Sequence, residues 1–446
     1  MFKIYDPQTA AQTILQRRPP DEVTIPESLQ ARIAGLFGEP LSPDQAVRRI
    51  LQDVRQRGDA ALEEWACKLD GAAPAGFRVP ENQIQAALQA IPPEVRTALQ
   101  QMAERIEAYH RRQPLTSWFT HDLGGVLGQV VRPIRRVGLY VPGGATPLPS
   151  SVLMSALPAR VAGVPEIVVV SPPERSSGQI PAPVLAACAI AGVQEVYALG
   201  GAQAIAALAY GTQSVPAVDK IFGPGGLFVT LAKQQVFGVV GIDGLAGPTE
   251  TVIIADDTAR PSWVAADLLA QAEHDVLASA VLLTPSRQLA EAVQAEISRQ
   301  VEERSRAEII TVSLENRGGA VITRDLDQAA ELANRFAPEH LCLAVRDPWA
   351  LAGKLTAAGG LFLGEHSFEV LGDYIAGPSH VMPTGGSARF ASPLNVWDFV
   401  HLVSLVALDP GTAAAIAPQA ARIARTEGLD AHAYAAGLRL EGGEAA

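Results

Sequence analysis

The strongest constraint on this chain is an alternation, between Val137 and Leu363, of short β-branched apolar runs with stretches of helical periodicity. Residues 137–141, 166–171, 195–199 and 219–222 read as buried strands, with helices at 182–191 and 202–210 between them. After Gly247 the pattern begins again, with strands at 251–255, 278–283, 341–345 and 360–363 and helices at 263–274, 288–303 and 326–336. Strands separated by helices pair in parallel through crossovers, so the alternation predicts an α/β fold with two parallel-sheet units. No internal sequence repeat accompanies the two halves, so any kinship between them is structural.

The flanks read differently. Residues 41–113 are charged and helical, with apolar residues three and four apart in 46–69 and 84–109, and resemble a scaffold. Residues 123–131 alternate between glycines and predict paired strands leading into 137–141. The tail, from Ser392 onward, predicts helices at 396–408 and 413–438 with too little apolar surface for a core of its own, and so packing on a partner subunit.

Composition narrows the function. With 47 acidic against 35 basic residues and a net charge of −12, nucleic-acid binding is disfavoured. Residues 1–16 lack the apolar core of a signal peptide and no run of about 18 apolar residues occurs, which predicts a cytoplasmic protein with no membrane partner. The 3 cysteines, Cys67, Cys188 and Cys342, are scattered, so neither a disulfide framework nor a paired-cysteine zinc site is expected. Any metal must be held by nitrogen and oxygen. Cys342 alternates with Leu341 and Leu343, as a buried structural thiol would, although a nucleophilic role in aldehyde oxidation is the alternative.

Several clusters could carry chemistry. Glycine-rich loops at 142–147 and 222–226 follow strands and precede helices, so they can receive a phosphate or serve as plain turns. Neither has the G-x-G-x-x-G fingerprint. Tyr140 and Gln203 sit where strands run into loops, the usual ligand edge of open α/β sheets. Gln271 and His274 are three residues apart at the end of a predicted helix, able to share a metal ion or simply to close the helix. Glu339 and His340 follow a proline and suit either a proton-transfer pair or a solvated turn. Asp373 and His380 in a Gly/Pro loop, with Glu427 and His432 in the tail, add carboxylates and imidazoles to a chain with only 8 histidines. Such concentration favours one shared site.

These segments, taken together, resemble the histidinol dehydrogenase family. The resemblance rests on VGLYVPGGATPLPSSVLMSALP at 137–158, GGAQAIAALAYGTQSVPAVDKIFGPGGLFV at 200–229 and AGPTE at 246–250. It continues through QAEH at 271–274, APEHL at 337–341, GDYIAGPSHVMPTGG at 372–386 and EGLDAHA at 427–433, in the family's order and over about two-thirds of the chain. It implies two incomplete Rossmann-like domains with parallel sheets, helical terminal segments and an intertwined homodimer. Mapped on this sequence, that predicts an N-terminal segment at 1–40, a first domain from 41–136 and 246–390, an NAD-binding domain at 137–245 and a partner-packing tail at 391–446.

The same resemblance implies NAD-dependent oxidation of L-histidinol through L-histidinal to L-histidine, the last steps of histidine biosynthesis, with one zinc ion per subunit. Zinc would be held by Gln271, His274 and Asp373 of one subunit and His432 of the other, orienting the amino alcohol. His340 would take the hydroxyl proton, and Glu339 would activate water on the aldehyde. Ser150, Thr249, His380 and Glu427 would line the substrate pocket together with the metal ligands and His340, while Tyr140, Gln203 and Gly226 would meet NAD. The sequence departs from the family where Asn often stands at Gly226 and Ser at Thr249: the first change leaves only backbone to offer the cofactor, the second keeps a hydroxyl. The alternatives are a dehydrogenase of the same fold for another small alcohol and a non-enzymatic metal-binding dimer.

Overall fold

A computed structural model of the chain describes residues 2–17, 26–71, 76–143 and 147–441. Its contacts divide it into two units, residues 1–113 with 134–399, and residues 114–133 with 400–446.

The first unit holds two sheets, both parallel throughout. The six-stranded sheet runs Lys3–Tyr5, Gly318–Ile322, Ser279–Thr284, Glu250–Ala255, His340–Ala344, Gly360–Leu363. The five-stranded sheet runs Glu195–Ala198, Glu166–Ser171, Arg136–Tyr140, Lys220–Phe222, Gly241–Ile242. Both are buried on two faces, which is why their strands read as continuous apolar runs. In the strand Glu250–Ala255, Val252 and Ile254 enter one core while Ile253 and Ala255 enter the opposite one. In the other sheet Val168 and Val170 face away from Val169 in the same manner.

The α/β class and the parallel sheets expected from the alternation are present, as are strands and helices close to most of the expected bounds. Four differences have physical causes. Residues 396–408, expected as a helix, form a 3-10 turn Val396–Phe399 and then the strand Val400–Ala407, antiparallel to Val126–Pro133. Its aliphatic, β-branched composition suits a ladder, and the partner strand decides the outcome. Gly318–Ile322 is an interior strand although its two leading glycines look like a turn; Gly318 has no room for a side chain, since a Cβ would lie 2.8 Å from Leu314. Lys3–Tyr5 of the N-terminal segment extends the six-stranded sheet. The helices between Pro43 and His110, grouped by sequence with residues 246–390, instead cover the five-stranded sheet. Ile50, Leu62 and Trp65 pack with Leu199 and Ile205 on one face, and Ile84, Met102 and Ile106 with Leu153 and Val169 on the other.

The second unit contains a three-stranded antiparallel sheet, Val400–Ala407, Val126–Pro133, Trp118–Thr120, and the helices Pro410–Thr426 and Asp430–Glu441. Those helices meet through a small cluster, Ala421, Ala424 and Ala433. Among the described residues no helix is long and apolar enough to cross a membrane.

Candidate active site

Catalytic candidates converge at the amino end of the six-stranded sheet. The helix Leu326–Phe336 stops at Ala337, a non-glycine residue in the left-handed region (φ 49°). Pro338 cannot continue a helix, and Glu339 and His340 then lead into the strand His340–Ala344 beside Thr251 of Glu250–Ala255. Glu339 and His340 are both buried, 7% and 3% exposed, so the solvated-turn reading of this pair is excluded.

Glu339 Oε2 accepts the Thr249 hydroxyl at 2.6 Å and the Glu250 N–H at 3.1 Å. Burial pushes its carboxyl up to about 7, against the opposing pull of His340 and these hydrogen bonds. His340 Nδ1 faces the Glu250 carbonyl at 3.3 Å, which assigns the donor proton to Nδ1 and turns Nε2 toward the site. Burial alone would pull this imidazole down, but Glu369, Glu339 and Asp373 outweigh it and raise it to about 10.

Asp373 and Glu369 come from one short helix, Glu369–Tyr374, where four-residue spacing places both on one face. Gly372 lets this helix approach the Phe362 ring, which a Cβ would meet at 2.5 Å. Asp373 Oδ1 lies 3.4 Å from His340 Nε2, too poorly aligned for a hydrogen bond, so Nε2 is buried without a hydrogen-bond partner. Glu369 accepts the Thr251 hydroxyl, and burial pushes its carboxyl to about 7. Donor atoms of His340, Glu369 and Asp373 lie within 4.8 Å of one another, a spacing that could hold a cation.

Gln271, fully enclosed near the end of the helix Pro261–Ala272, joins this group. Its neighbours assign Nε2 as donor to Glu369 (2.7 Å) and Oε1 as acceptor from the Glu250 N–H (2.7 Å), with the Thr249 hydroxyl 2.6 Å away. A hydroxyl has one proton, so Glu339 and Gln271 Oε1 compete for that of Thr249. His274 lies beyond the helix end, its imidazole lowered by desolvation against the opposing pull of Asp373 and Glu273. His380 Nδ1 contacts the Asp373 carbonyl at 2.8 Å, and its Nε2 meets the Ser151 hydroxyl at 3.3 Å; burial lowers this imidazole and favours its neutral form. Ser150, the serine expected here, is buried one position earlier in the same helix.

Thr249, Gln271, Glu339, His340, Asp373 and His380 are thus brought together in the first unit. Glu427 and His432 belong to the second, exposed at the end of Pro410–Thr426 and on Asp430–Glu441. Sequence reasoning missed Glu369, Ser151, Glu250 and Thr251. Glu369 had a signal in its spacing from Asp373; the others had none beyond adjacency to expected residues. Cys342 is buried, and its thiol is held well above the ordinary range by burial and by Glu369, Asp267 and Asp373, as suits a structural thiol.

The cofactor candidates lie at the carboxyl edge of the five-stranded sheet. Tyr140 ends a strand, and its buried hydroxyl accepts the Gly201 N–H at 3.2 Å; burial raises it to about 12. Gln203 donates to Asp70 at 3.1 Å, while its Oε1 is buried without a partner. In the loop 222–226, Gly223 is required: its φ is +108° and a Cβ would fall 2.1 Å from the Tyr140 carbonyl. Gly226 is not, since a Cβ there meets nothing within 4 Å. It opens the helix Leu227–Val236, whose first turn has no side-chain cap. Of the loop 142–147, residues 144–146 lie outside the described residues.

The family model for histidinol dehydrogenase matches residues 41–440. The chain belongs to the histidinol dehydrogenase family. It is 52% identical over 422 residues to the histidinol dehydrogenase of Deinococcus radiodurans, covering 94% of this chain and 96% of that one. It is 54% identical to that of Moorella thermoacetica over 398 residues, covering 89% and 94%. The crystal structure of histidinol dehydrogenase from Elizabethkingia anophelis superposes with a TM-score of 0.90 at 32% identity, covering 99% of this chain and 98% of that one. As a histidinol dehydrogenase family member the chain is an oxidoreductase of the last steps of histidine biosynthesis, acting on a small-molecule substrate.

Proposed function

We propose that this chain oxidises L-histidinol through L-histidinal to L-histidine with Glu339 and His340 as the proton-transfer pair, NAD as hydride acceptor, and zinc in the substrate site of a cytoplasmic homodimer. The observation that carries this reading is the burial of both side chains against Glu250, with His340 Nε2 free of a hydrogen bond and 3.4 Å from the Asp373 carboxylate. With Nδ1–H held by the Glu250 carbonyl, Nε2 is the atom that takes the hydroxyl proton once the carboxylate field that keeps this imidazole protonated is offset. Glu339, raised toward neutrality, accepts a proton from the water that attacks the aldehyde carbon.

The donor types suit a zinc ion: the carboxamide of Gln271, the carboxylate of Asp373 and the imidazole of His274, with His432 supplied by the second subunit. When bound, the ion holds the substrate nitrogens and opposes the carboxylate field that raises His340. Glu427, Ser150, Thr249 and His380 line the substrate pocket. Tyr140, Gln203 and the Gly226 backbone hold NAD, and the unpartnered Gln203 Oε1 is suited to a cofactor N–H or O–H.

The test is His340→Asn, with zinc content measured beside turnover of L-histidinol. Zinc content unchanged and alcohol oxidation lowered roughly 10²-fold or more support the reading. Turnover within about threefold of wild type removes His340 from proton transfer. Wild-type protein that ignores histidinol but oxidises another amino alcohol overturns the substrate.

A further inference from the structure

We propose that Arg17, from the N-terminal segment, is a positioning residue for the Glu339–His340 pair; the inference rests on reading that pair as catalytic. Arg17 grips both pieces of backbone that carry the pair. On one side its guanidinium forms a bidentate ion pair with Glu250, with Nη2 2.9 Å from Oε2. Glu250 is buried, and its own N–H and carbonyl are the groups that meet Glu339 and His340. On the other side Arg17 donates from Nε to the Phe336 carbonyl at 3.0 Å and from Nη2 to the Ala337 carbonyl at 3.3 Å, and it lies 3.7 Å over the Phe336 ring.

Those carbonyls close the helix immediately ahead of Pro338 and Glu339. Ala337 is the only non-glycine residue at positive φ among those described, a conformation that persists where its surroundings over-determine it. The guanidinium supplies that restraint: its planar fork binds the carboxylate through two N–H groups while reaching two carbonyls, a fixed bidentate geometry that an ammonium does not offer. One cation therefore ties the start of Glu250–Ala255 to the turn that launches His340–Ala344. The spacing between Glu339, His340 and the Glu250 backbone depends on both.

A purely structural alternative is that Arg17 only neutralises the buried Glu250 carboxylate. The two roles separate in Arg17→Gln, Arg17→Lys and the double variant Arg17→Gln/Glu250→Gln, which has no buried charge left to neutralise. Each is purified and assayed for kcat and KM with L-histidinol, thermal midpoint and zinc content, alongside Glu339→Gln and His340→Asn in the otherwise native chain. Arg17→Gln is expected to lower kcat roughly 10- to 100-fold with KM within about threefold, as a small misplacement of reacting groups does, and with zinc content unchanged. Arg17→Lys, which keeps the charge and guards against a fold too weak to assay, is expected to recover only part of kcat. The double variant is expected to regain thermal stability and not kcat.

Arg17→Gln within twofold of wild-type kcat overturns the proposal, as does full recovery of kcat in the double variant. Wild-type turnover in Glu339→Gln and His340→Asn overturns the reading of the pair and the proposal with it. Loss of turnover in those two beside an active Arg17→Gln overturns the proposal alone.

Discussion

Glu339→Gln separates the two oxidations. Glutamine copies the shape of the carboxylate, and its oxygen can accept both the Thr249 hydroxyl (2.6 Å) and the Glu250 N–H (3.1 Å), so the fold is expected to survive. What is lost is a proton acceptor raised to about 7, in the range where a general base is effective at neutral pH. General bases contribute roughly 10²–10⁴-fold, or about 3–5 kcal/mol of barrier. Oxidation of L-histidinal is therefore expected to fall by that factor. Oxidation of L-histidinol, for which His340 is the proposed base, is expected to stay within about tenfold. Single-turnover NADH formation with the alcohol and the aldehyde supplied separately reads the two steps. Equal losses in both, or a loss under about tenfold for the aldehyde, would refute the division of labour between Glu339 and His340.

Three further outcomes are expected. The raised carboxyl of Glu339 keeps its proton in the folded chain between 4.5 and about 7, so the cost of burying it as a carboxylate grows as pH rises through that window. The stability of Glu339→Gln relative to wild type should accordingly increase from pH 4.5 to 7 by up to about 3 kcal/mol in chemical denaturation, and a flat difference contradicts the assignment. Cys342→Ser should keep both oxidations within about threefold, at a stability cost of about 1–3 kcal/mol for burying a hydroxyl; trapping of a thioester on Cys342 would contradict this. His432→Ala, on an exposed helical face, should leave the thermal midpoint within about 2 °C while removing zinc; full zinc stoichiometry in that variant takes His432 out of the ligand set.

How much was legible depended on how locally each feature is determined. Strands buried on both faces, such as Glu250–Ala255 and Ser279–Thr284, declare themselves by unbroken apolar runs bounded by turns. Val400–Ala407 did not: most of its residues are exposed, and its hydrogen-bond partner Val126–Pro133 lies far away in sequence. Gly318 and Gly319 disguised an interior strand, because glycine there serves close packing against Leu314 and Tyr5. The charged helices 43–110 gave their faces away but not the sheet they cover, which only tertiary packing decides.

The site followed the same rule. Glu339–His340 and Gln271–His274 stand out as adjacent or helix-spaced pairs. Glu369 sits on a helix of 6 residues, where its four-residue spacing from Asp373 is the whole signal, and Arg17 meets Glu250 across 233 positions of sequence. Neighbours in space that are strangers in sequence leave no local trace, which is why the buried groups behind the pair emerged only with the fold.

The most direct test of the account is the number of NADH molecules formed per L-histidinol consumed by the purified protein, before and after chelation and again after zinc is restored. Two NADH per histidinol, lost on chelation and regained with zinc, is the predicted result. One NADH per histidinol, or turnover indifferent to chelation, would contradict the two-step, metal-assisted site built around Glu339 and His340.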